Sequence, residues 1–124
     1  MFGSFNKKKP PAGPDYSAVD SREKAQALVQ RGELARILMM PAALGGPDVE
    51  PNALYVPPFV ADIKSDVDNN IVLPLAQEGK IRHYQAAPQY EGNSFVPTAI
   101  VVTATDPGSF TQTIQIWGSA LAEP

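Results

Sequence analysis

Apolar positions along the chain follow two rhythms, one helical and one extended, separated by proline-rich stretches that follow neither. Ala25, Leu28 and Val29 recur at helical intervals behind Asp20 and Glu23, which stand at the spacing of a capping box. Gly32 offers a left-handed stop, so the pattern predicts a short helix over residues 20–31. The next run, Leu34 to Met40, is nearly continuous in apolar character and ends at Pro41. A run of that kind reads as a strand buried on both faces and central in its sheet. From Pro41 to Pro58 the chain carries Pro47, Pro51, Pro57 and the pair Gly45-Gly46, and only Ala53 to Val56 can be extended. Loops this long are uncommon in small domains and are over-represented among functional ones.

The strongest helical signal spans Phe59 to Glu78. Val60, Ile63, Val67, Ile71 and Leu75 form its expected inner stripe, leaving Asp62, Lys64, Ser65, Asp66 and Asp68 for water. Pro58 suits the first helical position and Gly79 the exit. Pro74 lacks an N–H and crowds the carbonyl of Asn70, which predicts a kink or break over residues 69–73.

The remainder reads as sheet, with strands over residues 81–87, 95–105 and 110–117 and a turn at Glu91-Gly92-Asn93. Pro88 and Pro97 mark edge positions or bulges. Asp106-Pro107-Gly108 fits a three-residue hairpin loop with Gly108 left-handed, because proline cannot take positive φ. That loop sets Ala104 opposite Phe110, Val102 opposite Gln112, Ile100 opposite Ile114 and Thr98 opposite Ile116 on the core side. Thr103, Thr111, Thr113 and Gln115 then face water. The fold class expected is α+β: a roughly four-stranded, mainly antiparallel sheet with two helices packed on one face. Residues 17–124 form that single domain, behind a flexible Lys/Pro-rich arm at residues 1–16.

The arm holds Lys7-Lys8-Lys9, Pro10, Pro11 and Pro14. Its Lys8-x-x-Pro11-x-x-Pro14 spacing matches a polyproline ligand, yet the composition is that of a solvated tail. No apolar region follows the lysines as a secretory signal requires, and no stretch approaches the ~18 apolar residues of a membrane span.

Composition then narrows the chemistry. The 124 residues carry 13 acidic and 10 basic side chains, a net charge of −3, which argues against a nucleic-acid partner. Without cysteine there is no disulfide, thiolate metal site or cysteine nucleophile, and His83 is the single histidine. Asp66-Val67-Asp68-Asn69-Asn70 opens like a calcium loop, but Ile71 and Gln77 stand where its glycine and glutamate belong. Gly45-Gly46-Pro47 lacks the Gly-Lys-Ser/Thr of a phosphate cradle, and no Gly-x-Ser-x-Gly elbow occurs. His83 reads as a structural or surface residue. No catalytic residue, metal ligand or cofactor is assigned.

Aromatics are the remaining suggestive feature. Tyr84, Tyr90 and Phe95 lie around one turn with Arg82 nearby, and Trp117 ends the last strand; aromatics beside an arginine are common anchors of partner surfaces. The function expected is that of a non-enzymatic cytosolic protein of bacterial type that binds another protein or itself. A homodimer through residues 110–117 fits best, and an inhibitor- or immunity-type protein is a narrower form. Neither nucleic acid nor membrane is a partner in this reading. The alternative is a small-ligand-binding protein or small enzyme with a site between the 41–58 loop and the sheet. A pocket holding a perturbed titratable group favours the alternative, and a flat apolar patch favours the protein binder.

Overall fold

The computed structural model describes residues 14–122; the arm N-terminal to Pro14, with its lysine run and most of its polyproline-like spacing, lies outside the described residues. The chain runs α1 (Arg22–Gln30), β1 (Ala35–Leu38), β2 (Ala53–Val56), α2 (Pro58–Val67), α3 (Leu73–Gln77), β3 (His83–Gln89), β4 (Ala99–Thr105), β5 (Ser109–Gln115) and α4 (Ser119–Ala122). It is α+β, but the single four-stranded sheet gives way to two antiparallel sheets, β1–β2 and β3–β4–β5.

β1 accounts for the difference. Among the described residues it pairs only with β2, Ala35 opposite Val56 through Leu38 opposite Ala53, and is half-buried rather than enclosed on both faces. Its apolar run is explained instead by α2, which packs against both β1 and β5 and so lies between the two sheets. The 41–58 segment returns the chain for this pairing. Short 3₁₀ turns at Ala42–Leu44 and Glu50–Asn52 order it, and Asn52 ties it down. The Asn52 side chain accepts from Met40 N (3.0 Å) and donates to Met40 O (3.0 Å) and Pro47 O (2.9 Å).

α1 starts one residue later than the capping-box spacing suggests. The Ser21 hydroxyl accepts the Lys24 N–H at 3.1 Å, while Asp20 is drawn into an ion pair with the Lys24 ammonium. The helix ends before Gly32, which is left-handed at φ 77.

The Pro74 expectation is met in a specific form. Leu73 N–H reaches back five residues to Asp68 O, widening one turn over Asp68–Val72 into a π-turn. Helical hydrogen bonding restarts at Leu73, so Pro74 falls in a first turn, where its missing N–H leaves nothing unsatisfied. The added residue also rotates the downstream positions by about 100°. Val72 is therefore buried where Ile71 was expected, and Ile71 is 38% exposed. Before the bulge, Val60, Lys64, Val67 and Asp68 form the buried stripe, and Ile63 lies outside at 37% exposure.

β3–β4–β5 carries the main core. Ile100, Val102, Ala104 and Ile114 are buried together with Val60, Val67 and Val72 of the helical layer and Leu54 and Val56 of β2. The predicted register holds: Ala104 opposite Phe110, Val102 opposite Gln112 and Ile100 opposite Ile114, with Thr111, Thr113 and Gln115 exposed. Pro88 stands in β3, an outer strand of the sheet, where a residue without an N–H is tolerated.

The hairpin loop has three residues as expected, since Thr105 pairs with Ser109. Its left-handed residue is Asp106 (φ 74) and not Gly108, and the Asp106–Pro107 peptide bond is cis. Aspartate tolerates that region better than most residues. Gly108 answers to a different constraint: its N–H donates to Lys80 O at 2.8 Å, and an added Cβ would stand 2.8 Å from the same carbonyl.

Urea denaturation of three variants separates these causes. Gly108→Val is expected to lose about 1–3 kcal/mol through the forced contact with Lys80. Asp106→Ala should lose about 1 kcal/mol, and Asp106→Gly should lose less. A neutral Asp106→Ala would remove the left-handed assignment.

Candidate functional site

The buried face of α2 brings two opposite charges into the interior. Lys64 and Asp68, one helical turn apart, have side chains 3% and 6% exposed and pair at 2.6 Å. Tyr84 reaches them from β3. Tyr84 shares a sheet face with Ala86, so the alternation that buries Ala86 also turns the phenol toward the helix. Its hydroxyl donates to Asp68 Oδ1 at 2.7 Å and accepts from Lys64 Nζ at 3.2 Å. Met39 O stands 3.3 Å from the same hydroxyl, but the single phenolic proton goes to the nearer and charged acceptor. The Lys64 ammonium also lies 5.7 Å from the centre of the Tyr84 ring. Three elements, α2, β3 and the end of β1, therefore meet at one polar cluster.

Charged residues at these positions were expected to face water. The buried arc is shifted, not reversed: Val60 and Val67 face the core as expected, while Lys64 and Asp68 lie inside the arc and Ile63 and Ile71 outside it. Isolated, either charge would be costly to bury; paired and bonded to the phenol, both are accommodated. Burial pushes the Lys64 ammonium below its ordinary value, against the pull of Asp68. Burial, and then the neighbouring Asp68 carboxylate, push the Tyr84 phenol up, so it stays protonated and remains a donor.

Lys64 and Asp68 of this cluster line a cleft of about 270 Å³, with Tyr84 behind them. Ile37 and Leu38 of β1, Pro41 and Ala42 at the start of the long loop, and Ala61 of α2 give it an apolar wall. Lys64, Ser65, Asp68 and Asn69 give it a polar one. Asn69 Nδ2 donates to Ser65 Oγ at 3.1 Å. Lys64 has three N–H donors, and among the described residues Asp68 and Tyr84 take two. The long loop that shapes the mouth is held from its far side as well. Arg36 donates to Asp48 (2.7 Å) and Glu50 (3.2 Å), Arg22 pairs with Glu50, and the Tyr55 hydroxyl donates to Glu50 at 2.9 Å. Those bonds, that of Tyr55 first, hold the Glu50 carboxyl below its ordinary range.

The five partner-surface candidates separate into two groups. Tyr84 turns inward to the cluster. Trp117 is 4% exposed, donates from Nε1 to Val96 O at 3.0 Å, and meets Tyr16 edge-on at 6.0 Å. Its side chain is core and offers no surface anchor. Tyr90, Phe95 and Arg82 are exposed. His83 lies on the surface with Nε2 3.3 Å from Asp106 Oδ2. Asp66 is exposed while Asp68 is held inside, so the calcium-like run does not converge. Among the described residues no group of three or more His, Cys, Asp or Glu gathers to hold a metal ion, and no helix is long and apolar enough to cross a membrane. The chain matches no family model, no curated protein and no solved structure.

Two measurements test the cluster. Lys64→Met and Asp68→Leu should each cost about 3 kcal/mol by stranding a partner, whereas the pair Lys64→Met/Asp68→Leu should cost much less than their sum. The pH dependence has a fixed sign. The folded-state value of Tyr84 is raised above 10.0, so its contribution is full below that pH and fades above it. Lys64 runs the other way: its folded value is lowered from 10.5, so stability from that group rises as pH approaches the unfolded value. The stability gap between wild type and Tyr84→Phe should therefore shrink between about pH 9 and about pH 11, read by denaturant melts.

Proposed function

We propose that the protein binds a small, uncharged ligand in the cleft between α2, β1 and the start of the 41–58 loop. The observation that carries this reading is the Lys64–Asp68 pair lining the cleft, backed by the Tyr84 hydroxyl. A buried ion pair is a weak device for stability, since an apolar replacement of similar volume commonly serves as well. Its value here is chemical: a donor and an acceptor fixed on the polar wall of a recess whose other wall is apolar, the usual composition of a ligand site. The pair is neutral overall, and Asp62 and Asp66 stand on the exposed side of the same helix. A ligand with a short aliphatic body and a neutral polar head suits that field better than an anion. The exposed acids give little support to an inhibitor that masks a basic partner. Asp20, Glu33, Asp48 and Glu78 are spread along the chain and each faces its own cation.

A second reading, self-association, has its own observation. Among the described residues no strand pairs with the outer edge of β5, which holds neither proline nor a charged side chain. Two copies joined edge to edge there would be self-complementary.

Amide-resolved NMR with 1-butanol, butyramide and butyrate separates these readings. The two neutral probes should shift Ile37, Ala61 and Asn69, and butyrate should do so less. Absence of shifts at those residues for every probe overturns the ligand reading. Light scattering across a concentration series tests the second: a dimer should form and Thr113→Lys should dissociate it.

A further inference from the structure

We propose, resting on the ligand-binding reading, that Lys64 is the amine of a carbonyl-binding site: its Nζ condenses reversibly with a short aliphatic aldehyde or ketone seated in the cleft. Three features of geometry lead there. Lys64 lines the cleft while its ammonium is enclosed by the protein. A carboxylate stands 2.6 Å from Nζ to take and return a proton. A phenol stands 3.2 Å from Nζ and, kept protonated, steadies that carboxylate from its other oxygen. Burial that disfavours the ammonium enlarges the nucleophilic fraction beyond that of a surface lysine.

Charge decides which electrophile fits. Acylation of Lys64 would leave a neutral amide, and addition of carbon dioxide would leave an anion. Either would strand Asp68 as an unpaired charge in the interior. Condensation with a carbonyl compound leaves a protonated imine, a cation at the same place as the ammonium, so the pairing with Asp68 survives. The apolar wall of Ile37, Leu38, Pro41 and Ala42 then takes the aliphatic part.

The steps balance without an oxidant or reductant. Asp68 Oδ2 accepts one ammonium proton, and the freed nitrogen lone pair attacks the carbonyl carbon as the C=O π pair moves to oxygen. Proton transfer from nitrogen to that oxygen gives the neutral carbinolamine. Asp68 returns its proton to the hydroxyl, which leaves as water as the N=C bond forms. The products are the iminium ion, water and the original carboxylate.

Incubation of the full chain with limiting butyraldehyde, then borohydride reduction and peptide mapping, tests this. Lys64 should carry at least several-fold more of the butyl group than the exposed Lys24 and Lys80, because only Lys64 has a seat for the alkyl chain beside its amine. Asp68→Asn should lower labelling at Lys64 and leave Lys24 and Lys80 unchanged. Lys64→Arg keeps a cation opposite Asp68 but cannot form the imine, so it controls for folding and should abolish the cleft adduct. Label confined to the surface lysines overturns the proposal. If that occurs while 1-butanol still shifts Ile37 and Ala61, the imine falls and the ligand site stands; if neither probe reports on the cleft, both fall.

Discussion

The pairing of Lys64 with Asp68 under the Tyr84 hydroxyl is the constraint on which the rest of the arrangement depends. A charge that must be buried can sit only where its partners are, and these partners come from different layers. Asp68 fixes the rotation of α2, since the helix must present positions 64 and 68 inward together. Tyr84 fixes where β3 lies against that helix. Met39, whose carbonyl stands beside the phenol and whose N–H donates to Asn52 O at 2.7 Å, carries the constraint into the smaller sheet and the long loop. Apolar contacts supply most of the driving force for folding, but they are tolerant of orientation; hydrogen-bonded charges are not.

The π-turn belongs to the same problem. Without it, Pro74 would break the helix near Asn70, and the residues that close the core behind the cluster would be misdirected. By accepting from Leu73 instead of from Val72, the Asp68 carbonyl widens the turn at the residue whose side chain holds Lys64. One residue thus ends the regular helix through its backbone and anchors the cluster through its side chain. Backbone irregularity and buried polarity coincide there, a combination often found at functional sites.

How far the sequence was legible depends on which interactions are local. The β4–β5 register could be read because it is set by a three-residue loop and by strict alternation, both short-range. The Pro74 disturbance could be read because it stems from a missing N–H. The left-handed residue of the hairpin was misplaced because the demand on Gly108 comes from Lys80, distant in sequence. The cluster was missed for the same reason. Lys64 and Asp68 look like solvated residues until Tyr84, on another layer, supplies the bond that makes their burial tolerable. Spacing alone carries no warning: in an unbroken helix Val60, Ile63, Val67 and Ile71 share an arc at least as narrow as that of Val60, Lys64, Val67 and Asp68, so the apolar set is the natural choice.

The placement of polarity also bears on the proposed ligand site. A purely structural ion pair is best closed off from solvent on every side, because water competes for each bond. Here the pair is sealed by Tyr84 on the sheet side and left against a recess on the other, with Ser65 and Asn69 continuing the polar wall outward. The opposite wall is made of short aliphatic groups on a strand and on a loop fastened by Asn52 and by the Arg36–Glu50 bonds. Rigid anchorage of both walls keeps the recess from collapsing onto the charges, as a well-packed interior otherwise would. The fold thus keeps one side of a buried ion pair against a recess that the protein's own side chains do not fill.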